Sequence, residues 1–145
     1  MQSEFALRIN GPFRGILRWS DLDALWTRVR AEPDGWYASL AGQTPPEVTL
    51  NADALHHFVQ EIDTLLRREH EHDYCGIVYA DDPGAPALIK IYDPHHLGSS
   101  CGSSGQRIPP RWILSRLRPT RIEDDAPLPG VRRRWWERIF HLGDR

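Results

Sequence analysis

At 145 residues, 40% hydrophobic and 26% charged, the chain is long enough for one domain with its own core and too apolar for global disorder. A formal net charge of -2 argues against a domain built to coat nucleic acid, and seventeen arginines against the single Lys90 read as compositional bias. The opening "MQSEFALRIN" places Glu4 and Arg8 where a secretory leader needs an apolar run. No window approaches the ~18 apolar residues of a membrane span, so a cytoplasmic protein is expected, with Cys75 and Cys101 as thiols.

In chain order, "FALRI" alternates Phe5, Leu7 and Ile9 and reads as a strand. The turn "NGP" and the second strand "FRGILRW" would complete an N-terminal hairpin. Ser20 and Asp23 have capping-box spacing. Leu22, Leu25, Trp26 and Val29 then form one helical stripe that ends before Pro33. "GWYASLAG" and "PEVTL" read as short strands around "QTPP". Asn51 caps a helix over 52–69 with the cleanest stripe in the chain: Leu55, Phe58, Val59, Ile62, Leu65 and Leu66. Beside that stripe His56 is placed at the boundary and His57 in solvent.

"YCGIVYADDPGAPALIKIYD" is the strongest hairpin signal, two apolar runs around a Pro-Gly turn. A turn centred between Pro83 and Gly84 pairs Val78 with Ile89 and Ala80 with Ala87 on one face. Cys75, Ile77 and Tyr79 then face Tyr92, Lys90 and Leu88 on the other. "RWILSRLRP" reads as a further strand, residues 121–130 as a polar link, and 131–141 as a final helix. The expectation is a single α+β domain over 1–145, with a mainly antiparallel sheet of hairpins and two or three packed helices.

The hairpin's open end gathers His70, His72, Asp73 and Cys75 near Asp93, His95, His96 and the loop "LGSSCGSSGQR". Three chemistries compete there. A zinc (Zn2+) site would use His72, Cys75, His96 and Cys101, with Asp73 or Asp93 as alternative ligands. Thiol catalysis would use Cys101 as nucleophile, His95 or His96 as activating base and Arg107 as oxyanion clamp. "CGSSGQR" fits C-x5-R and over those seven residues resembles the phosphate-binding loop of cysteine-dependent phosphatases and arsenate reductases. The flanks depart from that family, whose loop runs from a strand directly into a helix, so the chain is not assigned to it. The third chemistry is binding. Gly98, Ser99, Ser100, Gly102, Ser103, Ser104 and Arg107 would form a loop that cradles a small anion or fits a protein partner.

The C-terminal "VRRRWWERIF" alternates Arg132, Arg133, Arg134 and Arg138 with Trp135, Trp136, Ile139 and Phe140. Docking on the sheet with arginines in solvent is the first reading, a homodimer through Trp/Arg surfaces the second and membrane contact the third. The sequence therefore points first to a binding or accessory module, with the thiol enzyme and the zinc protein as alternatives.

Overall fold

The apolar stripe read from the sequence dictates the central element. In a computed structural model that describes residues 3–97, 109–123 and 128–141, the long helix spans Ala52–Glu69 and buries all six stripe residues. Asn51 caps it as expected, accepting the Ala54 N–H at 2.8 Å. The described residues form, in chain order, α1 (Glu4–Ile9), β1 (Arg14–Ile16), α2 (Trp19–Ala31), β2 (Tyr37–Leu40), α3 (Ala52–Glu69), β3 (Val78–Ala80), β4 (Leu88–Ile91), the single turn α4 (Pro94–Leu97), β5 (Trp112–Ser115) and α5 (Gly130–His141). The strands form one antiparallel sheet in the order β1-β3-β4-β5-β2. This is the α+β fold with an antiparallel sheet.

Alternation decides which sheet face is covered by what. Val78, Ala80, Ile89, Ile91, Leu114, Ala38 and Leu40 point into the main core, where side chains of α2, α3 and α5 meet them. Each fully buried Leu, Ile or Phe there contributes about 1.5–3 kcal/mol, an upper figure because the unfolded chain already hides some surface. Leu88 and Ile113 point the other way and are covered by Phe5 of α1, with Ile9, Phe13, Leu117 and Ile122 around them. Trp26 donates its indole N–H to Asp63 at 3.2 Å and so pins α2 to α3. The C-terminal helix docks with Trp135 and Ile139 in the main core, but of its arginines, all expected in solvent, Arg132 is buried because Glu69 and Asp93 hold it there.

Several local expectations are corrected. "FALRI" is a helix, because Ser3 caps it by accepting the Ala6 N–H at 3.1 Å and Phe5 and Ile9 share one face four residues apart. Leu7, the residue that made the alternation look like a strand, is 59% exposed. Strand β1 pairs instead with β3. Helix α2 begins one residue before Ser20, and it is Asp21, not Asp23, that receives the N-cap backbone N–H, from Arg18 at 3.4 Å. "PEVTL" forms no strand; only Leu50 reaches back, donating its N–H to the Trp36 carbonyl at 2.8 Å. On α3, His56 is exposed and His57 is half-buried with its Nε2 unpartnered, the reverse of the expectation.

The central hairpin is also off by two. Val78 faces Ile91, Tyr79 faces Lys90 and Ala80 faces Ile89. The reason is a wider loop held by Asp81, whose Oδ1 accepts the N–H groups of Asp82, Ala87 and Leu88 at 2.9, 3.0 and 3.1 Å. A shift of two preserves the faces, so β3 and β4 keep the split into core and outer residues. At the other end, alternation fails at Gly76, whose φ of 69° suits only glycine. Cys75 and Gly76 both donate N–H to β1's end, at Leu17 and Ile16, and Cys75, Ile77 and Val78 all enter the main core.

Candidate functional site

Helix α3 delivers two neighbouring residues, Glu69 and His70, into two different environments at its C-terminal end. Glu69 enters a buried ion network. Arg132, from the first turn of α5, grips the Glu69 carboxylate with two parallel bonds: Nη1 to Oε2 at 3.0 Å and Nη2 to Oε1 at 2.7 Å. The same guanidinium donates Nε to Asp93 Oδ2 and Nη2 to Asp93 Oδ1, both at 3.0 Å. Asp93, just after β4, also accepts Arg111 Nε at 3.2 Å and the His95 N–H at 2.9 Å. Arg68 and the His95 imidazole complete the Glu69 side.

The charges are compensated within the group. Burial alone would raise the Asp93 carboxyl, but Arg132, the His95 N–H and Arg111 outweigh it and hold it below the ordinary carboxylate range. The Arg132 hydrogen bonds, opposed by burial and aided by Arg68 and His95, lower Glu69 from 4.5 to about 2. Burial would lower Arg132, yet its bonds to Glu69 and Asp93 raise it further. Neither carboxyl is poised near neutral pH for proton transfer, and every oxygen already accepts a strong donor. The network ties together α3, the β4–α4 junction, the start of β5 and α5.

His70 enters the second environment, a groove of about 330 Å3 lined by Trp19, Arg67, His70, Glu71, His72 and Asp73. Trp19 forms one wall and donates its indole N–H to the His72 carbonyl at 2.9 Å. Arg67 lies over the Trp19 ring at 5.0 Å and is itself held by Asp63 through Nε at 3.0 Å and by Asp23 through Nη2 at 2.7 Å. His70 and His72 stand 4.5 Å apart, ring centroid to centroid, and His72 stacks on Tyr74 at 5.7 Å. Burial pushes His70 below the ordinary histidine range; a hydrogen bond with the Cys75 backbone opposes this and the His72 charge adds to it. Tyr74 is 58% exposed, and Leu17, which follows β1, is 63% exposed.

The residues nominated from the sequence are thus distributed unevenly. His70, His72 and Asp73 do come together, but around Trp19 rather than beside Asp93 and His95. Asp93 and His95 join Glu69 instead. Cys75 is fully buried, and burial chiefly raises its thiol, with Asp63 adding to it and the Ile77 and Val78 backbone and Arg67 opposing. Among the described residues, no three His, Cys, Asp or Glu side chains converge as a metal site requires. Cys101, Gly98, Ser99, Ser100, Gly102, Ser103, Ser104, Arg107 and the His96 side chain lie outside the described residues.

Sequence reasoning overlooked Trp19, Arg67, Tyr74 and the whole of the Glu69–Arg132 pairing. The signal for Trp19 was available: an aromatic at the first position of a helix, off the buried stripe, needs some other partner. Among the described residues no helix is long and apolar enough to cross a membrane. No protein-family model, curated protein or solved structure matches this chain, and its chemistry is read from its own residues.

Proposed function

We propose that the chain is a binding or accessory module that recognises a protein partner through the groove at the α2–α3 end, rather than an enzyme. One observation supports this above the others. The half-buried Glu69 and the buried Asp93 are saturated by arginine donors, whereas Trp19 lines an open groove and Tyr74, stacked on the lining residue His72, stands exposed. Recognition needs exposed aromatic anchors with polar neighbours, and the groove supplies them in Trp19 with His72, Glu71 and Asp73. The arginines Arg67, Arg68, Arg111 and Arg132 at this end all hold carboxylates, which favours a protein partner over a small free anion.

A photo-crosslinking amino acid at position 74 tests the reading, with the same residue at Val48, which is 75% exposed on a different loop, as control. In cells producing the protein, position 74 should give a discrete crosslinked species that Trp19→Ala removes. Position 48 should not. Equal crosslinking at both positions, or none at 74, would overturn the proposal.

A further inference from the structure

The electrostatics of the groove define what kind of side chain it accepts. Among the described residues its one lining arginine, Arg67, is already shared between Asp63 and Asp23. Glu71 and Asp73 line the same groove and have no ion-pair partner among the described residues. His70 is held toward its neutral form by burial. Arg67 therefore stands against four carboxylates; the adjacent Arg68 is outside the lining and turned to Glu69, and Arg18 is exposed and also outside the lining. Such a site repels anions and attracts cations.

The walls add a second, independent preference. Trp19 lines the groove and Tyr74 stacks on the lining residue His72; the faces of such rings carry negative charge and attract guanidinium and ammonium groups. Trp19 already binds one cation this way, with Arg67 lying over it at 5.0 Å. The Tyr74 ring lies over Gly76, where an added Cβ would come within 3.1 Å of it. A volume of about 330 Å3 lies at the bottom of the range for small-molecule pockets. It suits one long side chain better than an entire cofactor.

We infer that the groove takes the guanidinium or ammonium head of an arginine or lysine from a basic segment of a partner protein, seated against Trp19 near the exposed Tyr74 ring and neutralised by Glu71 and Asp73. This rests on the binding reading above and names its chemistry. Charge complementarity selects the occupant: the free charges of the groove are acidic.

The probe is a tetra-arginine peptide, with tetra-glutamate and a Gly-Ser peptide of equal length as comparisons, titrated into the full 15N-labelled chain. The reporter is the Trp19 indole N–H, assigned by its disappearance in Trp19→Phe. The arginine peptide should shift this signal saturably, and Glu71→Gln with Asp73→Asn should weaken binding about tenfold. Raising the salt to about 0.5 M should weaken it several-fold, since the charges are exposed. The inference is overturned if the arginine peptide leaves the signal unmoved, or if the double variant binds it equally well. Shifts caused by tetra-glutamate or Gly-Ser instead would overturn the cation chemistry while leaving the groove as a binding site. Absence of crosslinking at position 74 removes the groove itself. A shift with protein concentration alone, lost in Arg134→Gln with Arg138→Gln, would make the occupant a second copy and also overturn the proposal.

Discussion

Glu69 and His70 are adjacent in the chain, yet they enter opposite kinds of polar structure. On the Glu69 side each carboxylate oxygen meets a guanidinium or backbone donor, and Asp93 and Arg132 are almost fully buried. On the His70 side, among the described residues, Glu71 and Asp73 lack ion-pair partners and His70 Nε2 is unpartnered, and Tyr74 stands in solvent. The two sets draw on the same residue types at the same end of one helix. What separates them is completion: the first set is internally satisfied and holds the fold together, while the second leaves groups for something else to satisfy. A cluster of titratable residues is therefore weak evidence of a site until its hydrogen bonds have been counted.

The sharpest way to break this comparison is to remove the arginine that both carboxylates share. Arg132→Met leaves the buried Asp93 and the half-buried Glu69 without their main partner and should cost about 3–5 kcal/mol in chemical denaturation. The peptide-induced shift of Trp19 should survive wherever the variant is still folded. A loss below ~1 kcal/mol would mean that the network is decoration, and the contrast with the groove would collapse.

A smaller effect separates the two regions by pH. Glu69 has its folded pKa lowered from 4.5 to about 2, so its contribution is complete above 4.5 and lost as pH falls from there toward 2. His70 is also lowered, from 6.5, but as a base: its neutral form is favoured in the fold, so stability is complete above 6.5 and starts to fall below it. Denaturation between pH 7 and 5 should therefore show a decline that His70→Gln flattens. The decline below 4.5 should persist in that variant and shrink in Arg132→Met. If His70→Gln leaves the upper window unchanged, the histidine is not buried enough to matter.

The sequence foretold one region better than the other, for physical reasons. Helix α3 was readable to the residue because one stripe, one Asn cap and one terminus all agreed. Both faces of the central hairpin were readable even though the pairing was wrong by two, because a step of two conserves the face. Helix α1 was not, since Phe5 and Ile9 fit a period of two and a period of four equally, and Ser3 was the only cue between them. The ion network was illegible. Asp93 meets Arg111 and Arg132 across 18 and 39 residues, and Glu69 meets Arg132 across 63, so no local spacing announces it. His70, His72 and Asp73 were found because they are local, but their aromatic wall came from Trp19, 53 residues from His72.

The smallest stability effect carries the most weight for function. Tyr74 touches His72 and covers Gly76, but more than half of it is in solvent, so Tyr74→Ala removes little buried area and should change stability by no more than ~0.5 kcal/mol. Its ring is nevertheless one of two faces offered to a cation, and the loss of such a face weakens a desolvated contact measurably. The variant should therefore unfold with the wild-type midpoint, keep the Trp19 indole resonance in place without peptide, and bind tetra-arginine several-fold more weakly. Tyr74→Phe, which retains the ring, should bind as wild type. Equal weakening by Phe and Ala would assign the effect to the hydroxyl; wild-type binding by Ala would leave Trp19 as the working wall. Only the graded outcome, Phe intact and Ala impaired, fits a groove whose aromatic edge stands in solvent waiting for a positive charge.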